Sequence, residues 1–356
     1  MSDKLLRIWE LADASTKRLK PEKLNWQWGQ ALYLYGLSLI DTEFKTDKYS
    51  SYLEKFYTHH LNKGYRVDTS DTSAPALGAY YMYLKTKEDK YKGIVDRVRR
   101  YFDESPKVIE NMPNHLGTGI EHYIYPKSIW VDSMMMYGVF SSWYAENEKD
   151  KELMTFAMSQ PAFFAKYLMD KEDNLFYHCY WTKFKTHYPR KKLYWGRGNG
   201  WVMASIPLFY DRFEDGPEKD ETKLIFLKIA EALAPYQRED GYFETVFNKV
   251  GKTYEESSAT MLIASGWFYG YRKGWLGEEY YERAIKAFNA VVDDFEMKDN
   301  LLSMPKISGP TSAIQLIPYT VYKITPRGND YTYGLFAAFQ AGLEYKRCID
   351  MLETKK

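Results

Sequence analysis

Cysteine is scarce in this chain: two in 356 residues, Cys179 and Cys348. They lie far apart without the spacing of a metal site, and a count this low fits two ordinary buried thiols in a reducing cytoplasm. Long apolar runs are missing as well. No stretch reaches the ~18 residues needed to span a bilayer, and the N-terminal "MSDKLLRIWELADAS" is too charged for a secretory signal. Nor does one sign of charge prevail, since 49 Lys and Arg oppose 48 Asp and Glu. Without a Lys/Arg-rich block, nucleic acid and anionic membranes drop out as first partners. The six histidines, His59, His60, His115, His122, His178 and His187, form no H-E-x-x-H pair and no Cys/His cluster, so no metal site is expected.

Aromatic residues are what the chain has in excess: 33 Tyr, 19 Phe and 10 Trp. Such content serves either a large helical core with Tyr hydroxyls at its edge or a carbohydrate site, where flat rings cover apolar sugar faces. Composition by itself favours the core.

Helical periodicity dominates. "KLLRIWELADASTKRL" sets Leu5, Ile8, Trp9 and Leu11 on one stripe. About a dozen such segments follow in pairs, with few convincing strands. No repeat of fixed period appears, and no Pro/Ser/Gly linker divides the chain. The economical architecture is all-α, a single (α/α)6 barrel spanning residues 1–356, in which each helical hairpin buries one face against its neighbours. The long stretches 105–128, 171–199 and 237–256 are expected to build a site at one end.

Three motifs carry candidate chemistry. "LYWGRGNGW" (Leu193–Trp201) has neither the preceding strand and glycine spacing of a dinucleotide loop nor the Lys-Ser/Thr of a P-loop. It is either a glycine turn capping a helix that starts near Gly200, or a ligand wall. In the second case glycines let backbone approach a ligand, Trp195 and Trp201 supply surfaces, and Arg197 offers a planar fork. In "SIWVDSMMMYGVF", Ser128 is expected to cap a helix with Asp132 in its first turn, sharing a face with Met136. A carboxyl held among Trp130 and methionines would have its pKa raised by desolvation, as a general acid requires. The competing role is an acid that complements the helix dipole. In "RVDTSDTSAPALGAYYMY", Asp68 and Asp71 are either N-caps or, for Asp71, the second carboxylate of a glycoside-cleaving pair. His122 and His178 lie among aromatics just outside helical segments, suited to a structural hydrogen bond or a sugar hydroxyl. In "YEESSATM", Ser257 or Ser258 reads as a helix cap.

Taken together these segments resemble glycoside hydrolase family 105, the unsaturated rhamnogalacturonyl hydrolases, which are related to the unsaturated glucuronyl hydrolases. The likeness runs from about Trp26 to about Tyr345, through "WQWGQ", "DTSAPALGAYYMY", "EHYIYPKSIWVDSMMM", "NLFYH", "YWGRGNGW", "GKTYEESSATM" and "NDYTYGLFAAF" in order. It implies an (α/α)6 barrel acting on oligosaccharides that carry a 4,5-unsaturated uronic acid at the non-reducing end. The enol ether is hydrated: an Asp protonates C4, water adds at C5, and the hemiketal opens. No metal or cofactor is implied. By position Asp132 matches the general acid/base and Asp71 the second acid. His178, Trp195, Arg197 and Trp201 match the pocket, with Trp130 and Met136 beside the acid. Trp28 and His122 complete the substrate-binding set. An ordinary inverting glycosidase using Asp132 and Asp71, or a non-catalytic sugar-binding protein, would share these residues. Two features depart from the pattern. The His segment reads "HCYWTK", without the acid often found there, and the insert before Trp195 is basic, with Lys183, Lys185, Arg190, Lys191 and Lys192.

Overall fold

The structure is a computed structural model that describes residues 3–119, 123, 125–313 and 316–354. The chain passes through α1 (Asp3–Arg18), α2 (Trp28–Phe44), α3 (Ser50–Lys63), the single turn α4 (Ser70–Ser73), α5 (Ala76–Thr86), α6 (Asp89–Glu104) and α7 (Val139–Glu148). It continues through α8 (Lys151–Leu168), α9 (Gly196–Phe209), α10 (Pro217–Leu233), α11 (Ser257–Arg272), α12 (Glu278–Asp293), the short α13 (Pro318–Ile324) and α14 (Thr332–Thr354).

Leaving aside α4 and α13, the helices alternate between two burial patterns. The outer ones bury one stripe. In α6 that stripe is Tyr91, Ile94, Val95, Val98, Tyr101 and Phe102, at spacings of three and four with charges on the opposite face. The inner ones bury a wider arc, most fully in α11, where every residue from Ser257 to Gly270 is buried. Helices of this second kind form a closed ring: α2 packs on α5, α5 on α7, α7 on α9, α9 on α11, α11 on α14, and α14 returns to α2. The outer helices lie against them, α6 on α5, α8 on α7, α10 on α9, α12 on α11 and α1 on α14. This is the (α/α)6 barrel expected from the sequence.

The two ends of the ring differ. Inner-to-outer links are short, residues 45–49, 87–88 and 149–150, which makes each pair antiparallel and points all the inner helices the same way. Outer-to-inner connections are long, residues 105–138, 169–195, 234–256 and 294–331. They gather at the end where the inner helices begin. There they carry short strands that periodicity does not reveal. Ser128–Trp130 pairs antiparallel with Cys179–Trp181, which pairs with Thr186–Tyr188.

The glycines of "WGRGNGW" serve this packing. The helix begins at Gly196, not near Gly200. A Cβ would lie 2.5 Å from the Glu244 carbonyl oxygen at Gly196, 2.8 Å from the Trp195 ring at Gly198, and 2.9 Å from Leu262 Cβ at Gly200. The expected close approach of backbone to a ligand is therefore an approach of backbone to the protein itself, and it lets α9 settle against α11.

Candidate active site

The three-stranded sheet explains how residues distant in sequence meet. Trp130 pairs with Cys179, and the Val131 amide donates to the His178 carbonyl at 2.9 Å. Asp132 leaves one strand just as His178 enters the next. Ser128 does not cap a helix, as the sequence led us to expect: its backbone lies in the strand, and its hydroxyl accepts the Trp130 indole N–H at 2.9 Å. Asp132 instead precedes a π-helical turn, Met134–Gly138, that leads into α7. Its carbonyl accepts the amides of Met135 and Met136 at 3.0 and 3.1 Å. Such π turns are rare and concentrate at functional sites. Met136 itself is buried in the core of the ring.

Trp130 stands between two imidazoles. His115 stacks on it with centroids 4.5 Å apart and planes 10° from parallel, while His178 meets it edge-on at 5.1 Å. Each imidazole turns Nε2 to a carboxylate: His178 to Asp132 Oδ2 at 3.6 Å, His115 to Asp71 Oδ1 at 3.7 Å. The other ring nitrogens are anchored, His178 Nδ1 to the Tyr322 hydroxyl and His115 Nδ1 to the Ser133 hydroxyl, both at 2.8 Å. Ser133 Oγ donates on to Ser70 Oγ at 3.3 Å, so the segments bearing Asp132 and Asp71 are tied together.

Burial sets the protonation states. It pushes the Asp132 carboxyl up to about 6, against the opposing pull of the Arg197 charge, its own backbone amide and the Trp201 indole. Burial also lowers His115 to about 3. It lowers His178 well below the ordinary histidine value, aided by His115 and Arg197. Both imidazoles are thus neutral at pH 7, and their contacts with the acids are not ion pairs. The Tyr322 hydroxyl, buried and held far above its usual value, stays protonated.

Several buried polar atoms at this place have no hydrogen-bond partner among the described residues: Asp132 Oδ2, His178 Nε2, Trp195 Nε1, Trp201 Nε1 and Arg197 Nε. A buried group left unpaired costs roughly 1–3 kcal/mol. A convergence of such groups around one carboxyl marks a place prepared for a polar ligand.

Arg197 does not extend its fork outward. Its Nη1 and Nη2 donate to the carbonyls of Ser308 and Gly309 at 3.1 and 3.0 Å, with Thr311 Oγ1 at 3.3 Å. The guanidinium lies between Trp195 and Tyr333, 4.7 Å from each ring centroid. Among the described residues Nε has no partner. The same segment is held from the other side by Glu256, whose Oε1 accepts the Ser308 amide at 2.9 Å. Glu256, rather than Ser257 or Ser258, is the cap of α11, accepting the amides of Ser258 and Ala259.

The remaining candidates fall around this centre. Trp195 stacks on His178 at 4.3 Å. Trp201 is fully buried, and Trp28, half-buried, meets its edge at 6.2 Å while stacking on Tyr333 at 4.7 Å. Asp71 is not an N-cap, and neither is Asp68: Thr69 caps α4 in a capping box with Thr72. Asp71 lines a cleft of about 200 Å³ with Trp26, Gln27 and Arg66. His122 lies outside the described residues. His115, Tyr322, Ser133 and Glu256 were not singled out from sequence. Only His115 had a local signal, as one of six histidines; Tyr322 arrives on α13, a helix too short for its periodicity to be read.

Comparison with known proteins accords with this geometry. The chain is 23% identical over 362 residues to the unsaturated rhamnogalacturonyl hydrolase YesR of Bacillus subtilis (strain 168), covering 98% of this chain and 96% of that protein. It is 25% identical over 287 residues to an unsaturated 3S-rhamnoglycuronyl hydrolase of Alteromonas sp. (strain LOR), covering 74% of this chain and 66% of that one. Among solved structures, a family 105 glycoside hydrolase of C. acetobutylicum ATCC 824 superposes with a TM-score of 0.85 at 22% identity, covering 95% of this chain and 99% of the other. The model of Glycosyl Hydrolase Family 88 matches residues 5–349, and the chain belongs to that family of glycoside hydrolases.

Proposed function

We propose that the protein releases a 4,5-unsaturated uronic acid from the non-reducing end of lyase-generated oligosaccharides, with Asp132 as general acid and base. The observation that carries this reading is the buried Asp132 carboxyl, held near 6, whose Oδ2 and the facing His178 Nε2 are both unpaired among the described residues. The names of the two relatives, both hydrolases of unsaturated saccharides, support the substrate class.

The chemistry follows from one group in two states. As the acid, Asp132 gives its proton to C4 of the enol ether, and the C4=C5 electron pair forms the new C–H bond. Positive charge then develops at C5 and on the ring oxygen, where the carboxylate just formed stabilises it. That carboxylate accepts a proton from the water adding at C5, which restores the acid. The hemiketal opens at C5, and the hemiacetal left at C1 expels the next sugar. Asp71 holds sugar hydroxyls or the water, while Trp28, Trp130, Trp195 and Trp201 form the aromatic walls. Arg197 acts through its charge, its Nε and the segment it fixes. A contact from His122 rests on the family resemblance alone. Two buried free thiols, Cys179 and Cys348, support a cytoplasmic location, which cell fractionation tests.

The deciding experiment follows the ultraviolet absorbance of the C4=C5 bond with unsaturated products of pectin, ulvan and glycosaminoglycan lyases. Absorbance is expected to fall with turnover. Equal cleavage of a saturated glycoside would overturn hydration and leave an ordinary inverting glycosidase.

A further inference from the structure

Three of the long connections meet beside the active site: the hairpin end Tyr188–Leu193, the segment with Lys249 and Lys252, and residues 316–320 at the start of α13. Between them lies a cleft of about 640 Å³. Its lining includes Arg190, Lys191, Lys192, Lys249 and Lys252 and no acid. Lys192 is engaged by Asp170, Glu172 and Asp173. Among the described residues the other four cations form no ion pair, in a chain whose charges otherwise balance at 49 to 48. The cleft also offers a flat surface: the Tyr319 ring, with Lys249 Nζ 5.7 Å from its centroid. Leu316, 88% exposed, stands at the rim.

The cleft shares a wall with the catalytic pocket. Leu193, from its lining, packs with Trp195, Val246 and Tyr322, and Tyr319 joins that cluster. Trp195 and Tyr322 are the residues that hold His178. A saccharide long enough to leave the Asp132 pocket on this side meets cations and an aromatic ring together. That pairing suits a sugar with an apolar face and anionic substituents.

We propose that this cleft binds the distal part of the substrate, an oligosaccharide segment bearing carboxylates or sulfates beyond the sugar next to the cleaved bond. The proposal rests on the function proposed above and assigns its preferred substrate class: long and acidic rather than short or neutral.

The test compares wild type with a Arg190→Gln/Lys191→Gln/Lys249→Gln/Lys252→Gln variant on three substrates: an unsaturated disaccharide, a sulfated unsaturated tetrasaccharide and its desulfated counterpart. Exposed charges are individually weak, so the expected change on the sulfated tetrasaccharide is about a tenfold rise in KM at low salt, with kcat unchanged. The disaccharide should keep its wild-type constants. Added salt should erase the difference between the two proteins. An unchanged KM for the sulfated tetrasaccharide overturns the proposal, as does tight binding of a single-stranded oligonucleotide without competition from that tetrasaccharide. If the quadruple variant fails to fold, Lys249→Gln alone carries the same comparison, with a smaller but salt-sensitive rise in KM. Wild-type protein that leaves all three unsaturated substrates untouched would instead sink the proposed function, so the two failures are distinguishable.

Discussion

Trp130 divides two carboxylate–imidazole pairs of nearly equal geometry, Asp132 with His178 and Asp71 with His115, at 3.6 and 3.7 Å. Their surroundings are unequal. The Asp132 side chain is 12% exposed, ends in an unpaired oxygen and has Arg197 and Trp201 for neighbours; the Asp71 side chain is 27% exposed and lines a cleft. Beyond the imidazoles, the Asp132 pair is anchored by a phenol and the Asp71 pair by a serine. The same pair of residue types thus sits in two environments, one nearly closed to water and one open to a cleft. What differs is how far each has been taken from water.

The largest effect should come from Asp132→Asn. Removing a general acid costs on the order of 10²–10⁴-fold in kcat, and substrate binding should survive. The same variant should melt higher at pH 8. A carboxyl raised to about 6 in the fold, from an ordinary 3.8, favours folding fully below pH 3.8 and loses that contribution as pH rises through 6. Asparagine escapes this penalty, which is worth roughly 3 kcal/mol at pH 8. Melting curves at pH 8 and pH 3.5 check the sign, since the gain must vanish at the lower pH. Wild-type turnover by this variant would remove Asp132 from the role of acid.

Asp71→Asn should cost less, about 10–100-fold in kcat/KM, the size of one charged hydrogen bond to substrate. A loss equal to that of Asp132→Asn would make the two acids equivalent partners and favour the inverting mechanism.

Tyr322→Phe sharpens the comparison further. With Asp132 ionised, a Tyr322 hydroxyl that donates to His178 Nδ1 leaves Nε2–H facing the carboxylate, which avoids opposed lone pairs. Losing that donor should raise the Asp132 pKa. Activity needs the protonated acid, so the limb that falls with rising pH should move upward by about half a pH unit, the size of one weak hydrogen bond. A few-fold drop in kcat should accompany it. An unmoved pH profile would reduce Tyr322 to packing.

Much of this architecture could be read from the chain because it rests on local regularities. The stripe of α1, expected from Leu5, Ile8, Trp9 and Leu11, is buried at Leu5, Ile8 and Leu11 with Trp9 partly buried beside them, and the alternation of hairpins follows from spacings of three and four. Asp132 and His178 stood out because charge and polarity are conspicuous among Trp, Met and Tyr. What stayed hidden depends on contacts between distant segments. The strand at Ser128–Trp130 is three residues long and exists because Cys179–Trp181 lies beside it. Ser128 followed by an apolar run resembles a cap until the pairing partner is known. Arg197 looks like a ligand fork from its neighbours in sequence, yet its acceptors lie more than a hundred residues downstream at Ser308 and Gly309. His115 and Tyr322 gain meaning only through what they touch.

The common direction of the inner helices carries one more consequence. Each inner helix begins at the same end, so the ring gathers the positive poles of its peptide dipoles around the place where the substrate's acid group is proposed to enter. Each pole is worth about 0.3–1 kcal/mol to a nearby anion and is lost within a turn. At α11 the Glu256 carboxylate already occupies that pole; the other inner helices add a backbone attraction for anions in a chain whose formal net charge is only +1.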